Sequence, residues 1–259
     1  MPRRQSIVRM HTVLLGVALS MLLGGCSTYQ VPGGPADFNA LGISDEQQQG
    51  MTEDTIAQEF ARHPAASFPA SIAVVRVQDR GYRSYGTYGI DYGSYSVVGV
   101  REAEQGTEFS AFTQLPMVSQ IIPLNRMVIG KIEGEKDLRE AAARVQADML
   151  LLYTFDTRFG VESTVPALGV ITLGLFPNDE ARVTSTASAA LIDTRTGYIY
   201  MLAEATADTR QIANAWTSRD AVDQSRRRAE RDAFGQLTDQ LQRGWKDVAE
   251  RFALPRDQG

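Results

Sequence analysis

Branched apolar residues crowd into Ser71-Ile72-Ala73-Val74-Val75-Arg76-Val77-Gln78, which predicts a core strand ending at an Asp79-to-Gly81 turn. Before it, Thr52 with Glu53 and Asp54 has the pattern of a capped helix start, and Ile56, Ala57 and Phe60 give that helix a modest apolar face up to Pro64. Residues 82 to 100 set Tyr82, Tyr85, Tyr88, Tyr92 and Tyr95 among Gly and Ser and close on Val97-Val98-Gly99-Val100. Two readings fit: a hairpin or loop leading into a strand, or a displayed Tyr/Gly-rich recognition surface, since tyrosine joins broad apolar contact to a polar tip. Residues 105 to 117 predict a short helix through Phe109, Phe112 and Leu115, and residues 118 to 124 a short strand with Pro123 at an edge or end. Leu138, Ala141, Ala142 and Val145 recur at helical spacing, and residues 148 to 155 (DMLLLYTF) follow as a buried strand. Residues 183 to 193 and 197 to 206 pair about Thr194-Arg195-Thr196-Gly197, where Gly197 supplies the positive backbone angle of a tight return. In the first arm Thr184, Thr186, Ser188 and Ala190 share one side and Val183, Ser185, Ala187, Ala189 and Leu191 the other. A final helix from about Thr217 or Ser218 toward Phe252 carries the stripe Val222, Ala229, Ala233, Leu237, Leu241 and Val248. Its Arg226-Arg227-Arg228 run reads as a solvated face, with a phosphate-bearing polymer as the alternative contact. The helix-to-strand switches predict an α/β (α+β) body: a mixed, mostly antiparallel sheet flanked by helices, with a long C-terminal helix.

The N-terminus follows a different pattern. Arg3, Arg4 and Arg9 precede the apolar run Val13 to Leu23, which is short for a permanent span and ends at Gly24-Gly25-Cys26. Leu23-Gly24-Gly25-Cys26 resembles the bacterial lipobox, and that resemblance implies cleavage before Cys26, a diacylglyceryl thioether on its sulfur and an N-acyl chain such as palmitate on its amine. Several acyl chains at about 0.8 kcal/mol per buried methylene make a stable anchor. Ser27 follows, with no aspartate next to it; by resemblance to Gram-negative lipoprotein sorting this favours the outer membrane, facing the periplasm. The chain then divides into a signal at 1–25, a lipid-anchored flexible tether at 26–50 rich in turn formers, one domain at 51–253 and a tail at 254–259.

Composition narrows the chemistry. Removing residues 1–25, which hold three arginines and no acid, takes the formal charge from −5 to −8. An acidic body has no broad positive field for nucleic acid. Cys26 is the only cysteine, so neither disulfides nor a cysteine metal site is available to the fold, and His63, beside Pro64, reads as a surface residue at a helix end.

Residues 138–155 (LREAAARVQADMLLLYTF), residues 187–205 (ASAALIDTRTGYIYMLAEA) and the long helix after them resemble the periplasmic body of bacterial lipoproteins related to the curli secretion component and the penicillin-binding-protein activator. Residues 71–78 and 115–126 fit the earlier strands of that layout, so the resemblance spans roughly 68 to 250. It implies an envelope assembly or regulatory module. Ala147-Asp148 and Asp193 to Gly197 match its junctions, and both have structural explanations, a polar helix exit and a turn whose carboxylate accepts N–H bonds. The curli pore members also carry barrel-forming segments; residues 94–100 and 164–177 sit where such elaborations belong but lack two clean alternating membrane strands.

No nucleophile elbow, metalloprotease helix, P-loop or nucleotide fingerprint occurs in a sensible context, so no catalytic residue, metal ligand or cofactor is assigned beyond the lipid on Cys26. Residues 165 to 177 (VPALGVITLGLFP) are apolar but short for a helical span and admit three readings: a loop and strand packed on the body, a partner-binding lip, or a membrane-inserting hairpin. The expected activity is noncatalytic protein binding or assembly in the cell envelope, anchored to the membrane and joined to an envelope complex or to further copies of itself. Contacts are expected at Tyr85, Tyr88, Tyr92, Leu168, Ile171 and Leu173. The alternatives are an oligomeric outer-membrane export-channel component and an envelope-polymer hydrolase.

Overall fold

The computed structural model describes residues 33–37, 53–84, 87–88, 90–98, 112–125, 127–163, 179–212 and 219–253. Among the described residues, three helices, α1 (Glu53–Ala61), α2 (Glu135–Arg144) and α3 (Arg219–Phe252), are threaded among nine strands. The strands are β1 (Ala70–Asp79), β2 (Arg83–Ser84), β3 (Thr87–Tyr88), β4 (Ile90–Tyr92), β5 (Tyr95–Val98), β6 (Val118–Pro123), β7 (Met149–Ser163), β8 (Asp179–Asp193) and β9 (Ile199–Ile212). Seven of them form one mixed sheet in the order β4-β5-β1-β7-β8-β9, with β6 also on β1, while β2 and β3 make a small separate ribbon. Along one edge β1 pairs first with β6, in parallel over Ala70 to Val74, and then with β5, antiparallel from Arg76 to Asp79; its other edge runs parallel to β7 over Ile72 to Val75. Pro123, which has no N–H to donate, is the last residue of β6.

Strand alternation sorts the core into two layers. On one face Ile72, Val74, Met149, Leu151, Tyr153, Phe155, Ala187 and Leu191 meet Phe234, Leu237, Leu241 and Trp245 of α3. On the other, Ala73, Val75, Val77, Leu150 and Leu152 meet Leu138, Ala141 and Ala142 of α2. The 34 residues of α3 run about 51 Å at ~1.5 Å per residue, and the 15-residue strands β7 and β8 about 50 Å at ~3.3 Å, so helix and hairpin match in length. The alanines on the α3-facing side of β8 and β9 let that helix approach closely. The stripe expected from the sequence, Val222 to Val248, is buried throughout.

Helix α2 shows how local chemistry sets an element. Its Asp137 carboxylate accepts the N–H groups of Glu133 (2.7 Å) and Gly134 (3.1 Å) at the start. At the end Gln146 turns to φ 58, its N–H reaches Ala143 (2.9 Å), and that of Ala147 reaches Ala142 (3.0 Å). That pair of bonds closes the helix and delivers the chain into β7.

Three sequence expectations change. The strand expected at 148–155 continues to Ser163 and its partners extend to Asp179 and Ile212, because backbone pairing carries polar residues as readily as apolar ones. The apolar face of α1 is not buried: Phe60 is 84% exposed and Ala57 is exposed. Within the stretch expected as a tether, Gly33 to Asp37 are part of the body. The helix expected at 105–117 lies mostly outside the described residues.

Candidate functional site

The parallel pairing of β1 and β7 brings their C-terminal ends to one pole, where Gln78 builds the junction with the N-terminal segment. Past Val75 and Leu152 the two strands no longer pair, and the Gln78 carboxamide stands between them as a peptide group would. Its Oε1 accepts from the Phe155 N–H (2.8 Å) and the Thr154 hydroxyl (3.1 Å), and its Nε2 donates to the carbonyls of Phe155 (2.9 Å) and Gly34 (3.1 Å). All four hydrogen-bonding positions of the amide are used. Gly34 also accepts from the Asp79 N–H (3.1 Å), Pro35 bridges Gln78 antiparallel, and the Ala36 N–H donates to Thr154 Oγ1 (2.8 Å). Gly33 therefore enters the body at the Asp79 pole, packed so closely on Tyr82 that a Cβ would lie 3.2 Å from its Cα.

A buried charge cluster holds the same pole together. Arg226 and Glu230 of α3 pair at 2.7 Å with each side chain 3% exposed; Arg226 also donates to Asp223 (3.0 Å), which accepts from Arg227 (2.7 Å). Arg76 of β1 lies 3.7 Å from Glu230, donates to the Tyr82 hydroxyl (3.0 Å) and stacks over the Phe155 ring at 4.5 Å. Thr157 donates to Glu230 (3.2 Å). Burial opposes the Arg226 charge, but the Glu230 carboxylate beside it more than compensates and raises the guanidinium pKa above its ordinary value. The arginine run is thus split by helical geometry: Arg226 points into the core, Arg227 is half-buried and Arg228 is exposed. The expectation of a uniformly solvated face is corrected on that point. An i, i+4 acid and a facing strand arginine were the signal, but only the fold shows which side of the helix meets Arg76.

The opposite pole holds the two aspartates of the junctions. Asp193, fully buried, accepts from Ala65 N–H (2.6 Å), the Tyr200 hydroxyl (2.8 Å), Arg195 N–H (2.9 Å) and Thr196 N–H (3.0 Å). Burial alone would push its carboxyl up, yet these bonds, led by Ala65, hold it below the usual carboxylate range. Asp148 behaves alike: it is bonded by Ser71 N–H (3.0 Å) and hydroxyl (2.8 Å) and by Arg195 (3.1 Å), which outweigh its desolvation. Tyr200 is raised above its ordinary pKa by burial and by donation to Asp193. Asp193 ties the β8–β9 turn to the chain before β1, and Asp148 ties the start of β7 to the start of β1, as the structural reading of those junctions expects.

Cys26, Tyr85, Leu168, Ile171 and Leu173 lie outside the described residues; the backbones of Tyr88 and Tyr92 lie in β3 and β4, with their side chains outside them. The attachment points are nevertheless clear. Tyr82 and Tyr95, the first and last tyrosines of the rich stretch, are buried, and Tyr95 pairs with Asp79. Ser163 pairs with Asp179 at the end of the β7–β8 hairpin. Both candidate stretches thus start from the pole at which Gly33 enters. Between Asp37 and the open side of the hairpin lies a groove of about 570 Å³ lined by Thr154, Asp156, Arg158, Thr184 and Glu204, with Arg158 bound to Asp156 at 2.8 Å. Among the described residues, no group of three or more His, Cys, Asp or Glu is placed to hold a metal, and no helix is long and apolar enough to cross a membrane.

Fold and poles together define an α+β protein whose mixed sheet is covered by one helix on each face. No family model matches the sequence, and no curated protein does. Among solved structures it is similar to protein XCC0632 of Xanthomonas campestris, described as DUF330 (TM-score 0.36, 11% identity, 73% of this chain and 93% of that one). It is also similar to lipoprotein GNA1162 of Neisseria meningitidis (TM-score 0.29, 15% identity, 55% and 85%). Both likenesses are remote.

Proposed function

We propose that the protein is a noncatalytic lipoprotein of the bacterial cell envelope, at the periplasmic face of the outer membrane, that binds or helps assemble an envelope protein complex. The observation that carries this reading is a short connection. Cys26, in its lipobox-like setting, stands eight residues before Gly34, whose carbonyl is fastened to the sheet by Gln78. Acyl chains on Cys26 thereby hold the body within a short reach of the bilayer. Asp148, Asp193, Arg226 and Glu230 are engaged in holding elements together, and no catalytic role is assigned to them. The Tyr-rich stretch around Tyr85, Tyr88 and Tyr92 is the protein-contact candidate.

Intact-mass measurement and fractionation of wild type and Cys26→Ser test the anchor: acylated wild type in the membrane and unacylated, released variant are expected. Equal retention of the variant after a salt wash would sink it. In-cell photocrosslinking from position 85 tests the contact, with recurrent capture of one envelope protein expected and diffuse background the contrary result.

A further inference from the structure

We infer that the outer edge of β9 is an interaction surface, and that it pairs with β9 of a second copy of this chain, antiparallel about a two-fold axis at Ala207, to form a dimer through one continuous sheet.

Three observations converge. First, β9 is the last strand of the seven-stranded sheet and, among the described residues, pairs on one side only, with β8. Along its other side alternate residues present N–H and C=O groups that can extend the ladder. Second, this edge lacks the usual guards against such pairing. From Ile199 to Ile212 there is neither Pro nor Lys, and apart from a register shift beside Met201 the pairing with β8 runs unbroken to Ile212. The far side of the sheet differs, since β4 is three residues long and β6 ends on Pro123. Third, β9 is complementary in charge to itself. Leu202, Glu204, Thr206, Asp208 and Arg210 are exposed on the open face, while Ala203, Ala205 and Ala207 face α3. A two-fold axis normal to the sheet keeps each face on its own side, so it passes through a residue position and sets exposed residues opposite exposed ones. With the axis at Ala207 the paired segment runs from Leu202 to Ile212, Glu204 stands opposite Arg210 of the second copy, and Thr206 stands opposite its Asp208. Each contact occurs twice. Moving the axis to Thr206 would set Glu204 against Asp208, and moving it to Asp208 would set that carboxylate against itself, so both neighbouring registers are repulsive. Arg210 lies 3.4 Å from Asp208 of its own strand and is 60% exposed, which leaves donors of its guanidinium for the second copy. A contact in which one patch meets itself closes as a dimer.

The test is the mass of the full-length protein in detergent, read by sedimentation, with a dimer expected. Glu204→Arg and Arg210→Glu each turn both charge pairs into like pairs and are expected to weaken the dimer by about tenfold or more. The double variant Glu204→Arg with Arg210→Glu opposes unlike charges again and is expected to restore it. A photocrosslinking residue at position 206 reads the same contact in cells, where a band of twice the chain's mass containing only this chain's peptides is expected. Absence of both the dimer and that band, a dimer unmoved by either reversal, or capture from position 206 of a different protein alone would overturn the pairing. An unchanged circular-dichroism melt shows that each variant is folded.

Discussion

Glu230 touches Arg226, Arg76 and Thr157 in a site with almost no water, so removing it strands two guanidinium groups without their shared carboxylate. Breaking one partner of a buried pair costs about 3–5 kcal/mol. Glu230→Ala is therefore expected to lower the free energy of denaturant unfolding by that order, and Arg228→Ala, exposed two residues away, to change it by less than about 0.5 kcal/mol. Gln78→Ala leaves the Phe155 N–H and carbonyl without their amide partner, a loss of about 1–3 kcal/mol, and unclamps Gly34. Limited proteolysis should then cut near residues 33–37 sooner than in wild type; an unchanged digestion pattern would count against the clamp. Asp193 and Asp148 set the acid side of the stability profile. Their folded pKa values are lowered, so their contribution is fully present above the unfolded carboxyl value of about 3.9 and is lost as pH falls through the folded values. Thermal melts taken down a pH series are expected to fall more steeply below about pH 4 in wild type than in Asp193→Asn. The turn N–H bonds to Asp193 and the i, i+4 pair of Arg226 with Glu230 are local, whereas bonds such as Ala65 to Asp193 and Arg76 to Glu230 join residues far apart in sequence and were not legible from the chain alone.

Elements were more legible than their limits. Strand β1 and the stripe of α3 have strong apolar signatures, and both are where the pattern places them. The outer halves of β7 and β8 have no such signature: Asp156, Arg158, Arg182 and Thr184 are held by backbone pairing and by α3 on the other face only. At the β8–β9 return the expected positive angle of Gly197 is present at φ 74, and a Cβ there would lie 2.9 Å from Glu135 Oε1. Gly197→Ala is expected to cost about 1–2 kcal/mol in unfolding free energy through the left-handed backbone alone. Helix α1 is the converse case, since its apolar residues suggested packing but its last turn is held by Arg62 donating to the Gly197 carbonyl at 3.4 Å.

At the scale of the whole molecule the sheet gives the protein two unlike ends. At one, Asp193 and Asp148 tie strand termini together; at the other, Gln78 and the Arg226 cluster gather the N-terminal segment, the Tyr-rich stretch and the β7–β8 hairpin. Deleting residues 27–31 is expected to leave the clamp intact and bring the body nearer the bilayer, which fluorescence transfer from lipid to a label at position 140 would register as a rise. The alternation of apolar positions and the turn at Gly197 already determined the class of fold, because strand and helix periods and turn chemistry are local properties of a chain. Which pole receives the N-terminus, which arginine of three is buried and how far the hairpin overshoots were decided only in three dimensions. Those depend on parallel pairing between strands whose partners, such as Ile72 and Met149, stand 77 residues apart, and no local pattern encodes that partner choice.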